Sequence, residues 1–195
     1  MNNTKILTYV LGVVALGLAY YLVHFIYSDI ETKRNIAEVE QQVKEKLMII
    51  REAEQAYQAT NGQFTSDWDK LTSFINEGKL YIVQKKPEII PLGYGVDSII
   101  MHIDTLDAVN VKDSLFSAAK YPELDIDRLA YVPGSEKKFN IFADRIQKSG
   151  VTVDVIEVVD SDPVDKTRKE DDERRNRRPL RFGSKTEITT TGNWE

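Results

Sequence analysis

The chain contains no cysteine, which removes disulfides, thiolate nucleophiles, iron–sulfur clusters and cysteine zinc sites in one step. Imidazole is nearly as scarce, with His24 and His102 the only two histidines. Positive charge is not in excess: 26 Lys and Arg stand against 31 Asp and Glu, a formal net charge of -5, so no global field draws the chain to nucleic acid. Catalytic signatures are equally thin. Gly93-Tyr94-Gly95 lacks the third glycine and the Lys-Ser or Lys-Thr pair of a phosphate loop, and Ser114 and Ser117 stand outside any Gly-x-Ser-x-Gly setting. His102 has no second histidine four residues away, and the acidic pairs Asp104/Asp107 and Asp125/Asp127 lack the ligand loop of an EF-hand. Both pairs read as surface carboxylates. The sequence therefore assigns no catalytic, metal-binding or cofactor-binding residue, implies no cofactor, and points to no small-molecule substrate.

What is present is a chain of 195 residues, 42% hydrophobic and 29% charged, the composition of one ordinary folded domain with accessories. The apolar residues are concentrated at the start. After a short tail at 1–5, Ile6 to Tyr27 supplies 22 residues without a formal charge, and at about 1.5 Å per residue a helix of that length spans the roughly 30 Å hydrocarbon core of a bilayer. Tyr9 near one end and Tyr20, Tyr21, Phe25 and Tyr27 near the other lie at or near depths that amphipathic rings prefer. His24 reads as an interfacial imidazole. Lys5 and Ala15-Leu16-Gly17 could pass for a cleaved signal peptide, but cleavage there would leave the apolar run Leu18 to Tyr27 as a naked terminus. An uncleaved signal anchor uses the whole run, so residues 6–27 are expected to form one transmembrane helix.

From the anchor to Gly62 there is no Pro or Gly, and the composition is helical and charged. In heptads, Ile36, Val43, Ile50 and Tyr57 share one position and Val39 and Ala53 its partner position, with Lys46 interrupting and Leu47 covering the gap. This seam is the candidate helix interface. It serves either self-association as a coiled coil or packing on the protein's own domain, and the sequence leaves both open. Either way one helix of some 55 residues, roughly 80 Å, runs to Asn61-Gly62, a C-terminal stop signal. Residues 28–61 are thus expected to be an exposed amphipathic helix.

A small α+β domain is expected over 62–159. Ser66 with Asp69 approximates a capping box ahead of Trp68, Leu71, Phe74 and Ile75 at helical spacing, and Gly78 ends that helix. Tyr81 to Val83 can begin a strand. Lys85, Lys86, Pro87, Pro91, Gly93 and Gly95 then mark a linker or turn. Ile99 to Val111 alternates at Met101, Ile103 and Thr105 and again at Val109 and Val111, while Leu129 to Val132 before Pro133-Gly134 reads as a short strand. The clearest hairpin is Lys138 to Ile146, turning at Ser149-Gly150 into Val151 to Val158. The fold class is α+β: a long N-terminal helix followed by a small antiparallel β-rich domain.

Residues 160–179 hold no aromatic and, in Val164, one aliphatic residue, so they read as a solvated charged loop without enough apolar surface to order itself. Acidic Glu170 to Glu173 precede Arg174, Arg175, Arg177, Arg178 and Arg181, a set that either closes on its acidic neighbours or forms a candidate anion-binding site for phosphate or a lipid headgroup. At 180–195, Phe182, Ile188, Thr189 to Thr191 and Trp194 restore apolar and β-branched character. This segment is expected to be a docking strand, with Ile188 and Trp194 as its contacts, on the domain itself or on a neighbouring subunit.

The membrane helix running unbroken into an exposed helix, then Ile50-Arg51-Glu52-Ala53-Glu54-Gln55-Ala56-Tyr57, Asn61-Gly62-Gln63-Phe64 and the helix from Trp68 to Ile75, resembles type IV pilins and the pseudopilins of secretion systems. In that family the long helix packs in a filament core and a small β-rich domain hangs from its end. The family's leader-peptidase site has no counterpart, since no Glu precedes Glu31, so the architecture alone carries over. The expectation is a non-enzymatic, single-pass subunit with a structural or assembly role in a bacterial envelope complex, its partners being membrane lipid and protein subunits, further copies of itself among them, and not nucleic acid. The alternative is a tethered module that captures a peptide, glycan or anion. Lys33, Arg34, Lys44 and Lys46 beyond the anchor favour the inside by basic-residue counting, whereas the resemblance favours the outside. The expected location is the bacterial inner membrane with the bulk of the chain periplasmic or extracellular.

Overall fold

A computed structural model describes residues 3–91 and 97–195. One helix, α1, covers Asn3–Asn61, 59 residues, and at about 1.5 Å per residue it is roughly 90 Å long. Its N-terminal window is long and apolar enough to cross a membrane, and none of that window is buried against the rest of the chain. The helix stops where the sequence says it should. Gly62 takes φ +74° and its N–H donates to the Gln58 carbonyl at 2.7 Å, which closes the last turn with the residue type that tolerates a left-handed backbone.

Helix α2 spans Trp68–Glu77 and buries Leu71 and Ile75. Its N-cap is Asp67, one residue beyond the expected Ser66, and the Asp67 side chain accepts from the Asp69 N–H at 3.0 Å. Strand β1 follows at Lys79–Pro91 and pairs antiparallel with β2 at Asp97–Asn110. The stretch from Lys85 to Pro91, expected to be a linker or turn, therefore lies in a ladder; Gly93 and Gly95 fall outside the described residues. Pro87 is tolerated because a two-stranded ribbon consists only of edge strands, where a missing N–H need not break a pair. The register shifts between Ile82 and Val83 and leaves Leu106 without a cross-strand partner. This bulge puts the Met101–Thr105 alternation and the Asp107–Val109 stretch on opposite faces.

Val111, expected to extend β2, instead starts the short helix α3 at Val111–Leu115, where it is fully buried and its N–H donates to the Gly78 carbonyl at 3.0 Å. Leu129 to Val132 forms one isolated bridge, Tyr131 to Lys138, rather than a strand. Leu129, Ala130 and Val132 are buried nonetheless. Strands β3, Asn140–Lys148, and β4, Val151–Val159, form the expected hairpin. Ser149 and Gly150 both take positive φ, 53° and 81°, the turn whose twist suits a two-residue hairpin connection. A third strand, β5 at Arg181–Gly183, pairs with β4 and completes a sheet of order β3-β4-β5. The molecule is thus α+β, with a long N-terminal helix followed by small antiparallel sheets. Its core joins Val43, Leu47, Ile50 and Ala53 of α1 to Leu71 and Ile75, to Val111 and Phe116, and to Phe139, Ile156, Val158, Leu180 and Phe182.

Candidate functional site

The seam residues of α1 are spoken for. Val43, Ile50 and Ala53 are buried against the chain's own domain, Val39 and Tyr57 pack partly buried on the same cluster, and Ile36 is half-buried. Tyr57 meets Phe74 of α2 edge to face at 5.1 Å between centroids. Of the two packing modes open to the heptad pattern, the intramolecular one accounts for Val43 to Tyr57. The 28–61 segment is accordingly not exposed throughout: one face of its second half is a wall of the core. Lys46, the residue that breaks the heptad, has its own use. Its Nζ donates to the Arg128 and Tyr131 carbonyls, each at 2.8 Å, and burial together with the neighbouring Arg128 lowers its pKa against a smaller opposing pull from Asp125.

The same helix carries a buried acid. Glu54 is fully buried, its Oε2 accepts the Thr65 N–H at 3.1 Å, and its Oε1 has no partner among the described residues. Burial pushes its pKa up to about 8 against the modest opposing effect of that one hydrogen bond. The group is held as the neutral acid at pH 7 because water is excluded and no cation replaces it. Thr65 in turn accepts the Asp67 N–H on its Oγ1 at 3.1 Å, so Glu54 fixes the turn that places the cap of α2.

The charged loop is ordered, contrary to the expectation of a solvated segment, and the reason is polar. Arg168 forms a bidentate pair with Glu40 of α1, 2.5 and 2.9 Å, with both side chains 15% exposed. Its Nη1 also donates to the Asn176 and Arg178 carbonyls at 2.8 and 3.0 Å. One guanidinium thereby stitches the loop to itself and to the long helix, a bidentate geometry that lysine cannot reproduce. Asp160, at the loop's start, is buried, and that burial raises its pKa. Asp162 is held down to about 2 by Ser135, Lys166 and Lys137. Composition alone missed this because hydrogen bonds, rather than apolar burial, hold the segment.

The five candidate anion-binding arginines do not converge on one open site. Arg181 pairs with Glu157 at 3.4 Å and with Glu170, Arg174 with Asp172 at 3.3 Å, and Arg178 donates to the Asp172 carbonyl at 2.7 Å. Arg175 donates to the Gly192 carbonyl at 3.4 Å, and Arg177 is exposed within a single 3₁₀ turn, Arg175–Arg177. Of the two readings of this charge run, closure on its acidic neighbours is the one the geometry favours.

The C-terminal segment docks on the chain itself, through the expected Trp194 but not through Ile188. The strand is Arg181–Gly183, whereas Ile188 is 63% exposed. Trp194 packs partly buried on the core, and Gly192 lies under its ring so closely that a Cβ there would fall 2.5 Å from it. Asn193 is buried: its amide donates to the Arg175 and Pro179 carbonyls at 3.1 and 2.9 Å, and its Oδ1 accepts the Arg181 N–H at 3.1 Å. Arg51 of α1 closes the tail by reaching Glu195 at 2.7 Å and the Thr190 carbonyl at 3.2 Å.

His102 and the Asp104 beside it sit on the ribbon, where His102 meets Glu88 at 2.6 Å and Asp104 meets Lys86 at 3.5 Å. Asp125 caps its own turn by accepting the Asp127 and Arg128 N–H groups. A groove of about 750 Å³ opens between α1 and residues 120–136, lined by Gln42, Glu45, Lys46, Tyr121, Arg128 and Tyr131 among others. No family model, curated protein or solved structure matches the chain.

Proposed function

We propose that this chain is a non-enzymatic, single-pass subunit with a structural or assembly role in a bacterial envelope complex, held in the inner membrane by the first part of α1 with its folded domain outside. The observation that carries this reading is the continuity of α1. A membrane-length apolar segment and a helix embedded in the domain core are one element of 59 residues, so the anchor is mechanically part of the domain rather than a tether. The resemblance to type IV pilins and pseudopilins supports the same reading through the same architecture, a long helix with a small β-bearing domain at its end. Purification of the full-length chain in mild detergent, with mass spectrometry of whatever accompanies it, tests the proposal. A stable multi-subunit assembly, of copies or of different chains, is expected; a chain recovered alone and monomeric overturns it.

A second reading is a membrane-tethered binding module, and one feature favours it. The groove beside Lys46 sets Tyr121 and Tyr131 among Lys120, Arg128, Glu45, Glu123, Asp125 and Glu136, an arrangement of rings and charges of both signs suited to a peptide. The arginine run gives this reading less help, because most of its donors are engaged within the chain.

A further inference from the structure

The ribbon of β1 and β2 is built unlike the rest of the domain. It is a two-stranded sheet, each strand pairing only with the other, so each presents one free edge. Tyr81, Ile82, Met101 and Leu106 on it are 47 to 62% exposed. Polar cross-strand pairs, Lys86 with Asp104 and Glu88 with His102, occupy one face. On the other face the register sets Pro87 against Met101. An isolated two-stranded hairpin is marginal in water, and a long edge with apolar residues beside it is a template for another strand.

The two strands differ in charge. β1 carries Lys79, Lys85 and Lys86 against Glu88 alone, whereas β2 carries Asp97, Asp104 and Asp107 and no lysine or arginine. Like strands placed edge to edge would oppose like charges, which is destabilising, while β1 beside β2 sets lysines against aspartates. Geometry agrees with charge. Copies anchored in one membrane share one orientation, and a copy displaced sideways keeps its strand directions, so its β2 runs antiparallel to the first copy's β1. Pro87 has no N–H to give, which confines such a ladder to the Lys79–Lys86 part of β1.

We propose that the β1–β2 ribbon is the docking edge for a second copy of this chain, β1 of one copy pairing with β2 of its neighbour so that ribbons of adjacent anchored chains continue one antiparallel sheet. This inference rests on the assembly role proposed above and names the partner and the contact. The pairing is head-to-tail and does not close on itself as a two-fold dimer does, so it propagates along a row.

The absence of cysteine makes the test clean, since an introduced cysteine is the sole thiol. Full-length Gln84→Cys, in β1, and Leu106→Cys, in β2, are co-expressed with different tags and treated in membranes with a short bis-maleimide. The mixed product is expected to exceed either same-variant product severalfold. Introducing Lys79→Glu and Lys86→Glu into the Gln84→Cys copy should reduce the mixed product severalfold, and Asp104→Lys with Asp107→Lys in the Leu106→Cys copy should restore it. Same-variant products equal to or above the mixed one overturn the inference. So does the absence of any product from a chain that still purifies within a larger assembly, an outcome that leaves the assembly role standing. A chain that purifies as a monomer overturns both.

Discussion

Two antiparallel hairpins lie in this chain, one with strands of 9 residues and one with strands of 13 and 14, and they have opposite fates. β3–β4 is pressed into the domain: Val155, Ile156 and Val158 are buried, and β5 covers the far edge of β4. β1–β2 stands with its cross-strand ladder running the length of both strands, broken only at the Leu106 bulge, and with Tyr81, Ile82, Met101 and Leu106 exposed. Backbone pairing is therefore common to both and explains neither fate. What separates them is side-chain burial, at roughly 25 cal/mol per Å² of apolar surface removed from water. One hairpin obtains that from its own domain; the other must obtain it elsewhere.

The comparison is broken most forcefully by matched truncations. Phe182→Ala, in the packed sheet, should cost about 3 to 5 kcal/mol, because it deletes a nearly fully buried ring and leaves a cavity. Met101→Ala, on the bare ribbon, should stay within about 0.5 kcal/mol. Denaturant unfolding of the detergent-solubilised chain reads both. A comparable loss at Met101 would show that the ribbon is packed in the isolated protein after all.

A second effect sharpens the comparison through pH. Glu54 lies under the packed region with its pKa raised to about 8 from an ordinary 4.5. A raised carboxyl pKa means that the folded chain holds the proton more tightly than the unfolded one. Stability from this group is therefore full below about pH 4.5 and is lost as pH rises through about 8, at up to roughly 1.4 kcal/mol per pH unit. Glu54→Gln should flatten that decline and be the more stable form at pH 9, as read by thermal melts across the range. A parallel decline in the variant would move the cause away from Glu54.

The smallest expected loss within the packed region concerns the charged loop. Arg168→Lys keeps the charge and loses the two-pronged contact with Glu40, a cost on the order of 1 to 2 kcal/mol. Its readout is local. Trypsin should cut at Arg174, Arg175 or Arg177 faster in the variant than in the parent, with cleavage in the ribbon after Lys79 and Lys85 unchanged.

Sequence reasoning reached the elements whose signals are local. The long apolar helix at the start, the end of α1 at Gly62 and the Ser149-Gly150 hairpin each rest on residues within a few positions of one another, where composition, periodicity and turn chemistry act directly. β1 was obscured because Pro87 and the paired lysines are read as punctuation, although the same residues are acceptable on a strand that is all edge. The contacts that order the C-terminal third were out of reach. Glu40 and Arg168 are 128 positions apart, and nothing in either neighbourhood announces the other. Trp194 was visible as a large ring needing cover. Asn193 beside it gave no local signal, since its three hydrogen bonds exist only once the chain around Arg175 and Pro179 has folded over it.

The unbroken course of α1 has a rotational meaning. No Gly or Pro occurs between Gly17 and Gly62, so the azimuth of the domain relative to the apolar segment is set by counting residues, at about 100° each. One residue inserted near Thr32 would lift the domain by only about 1.5 Å yet swing every surface on it by about 100°, whereas seven would bring it back to within about 20° of its original facing. In a row of anchored copies such as the one proposed, each ribbon would leave the bilayer already aimed, its heading written in the length of the helix beneath it.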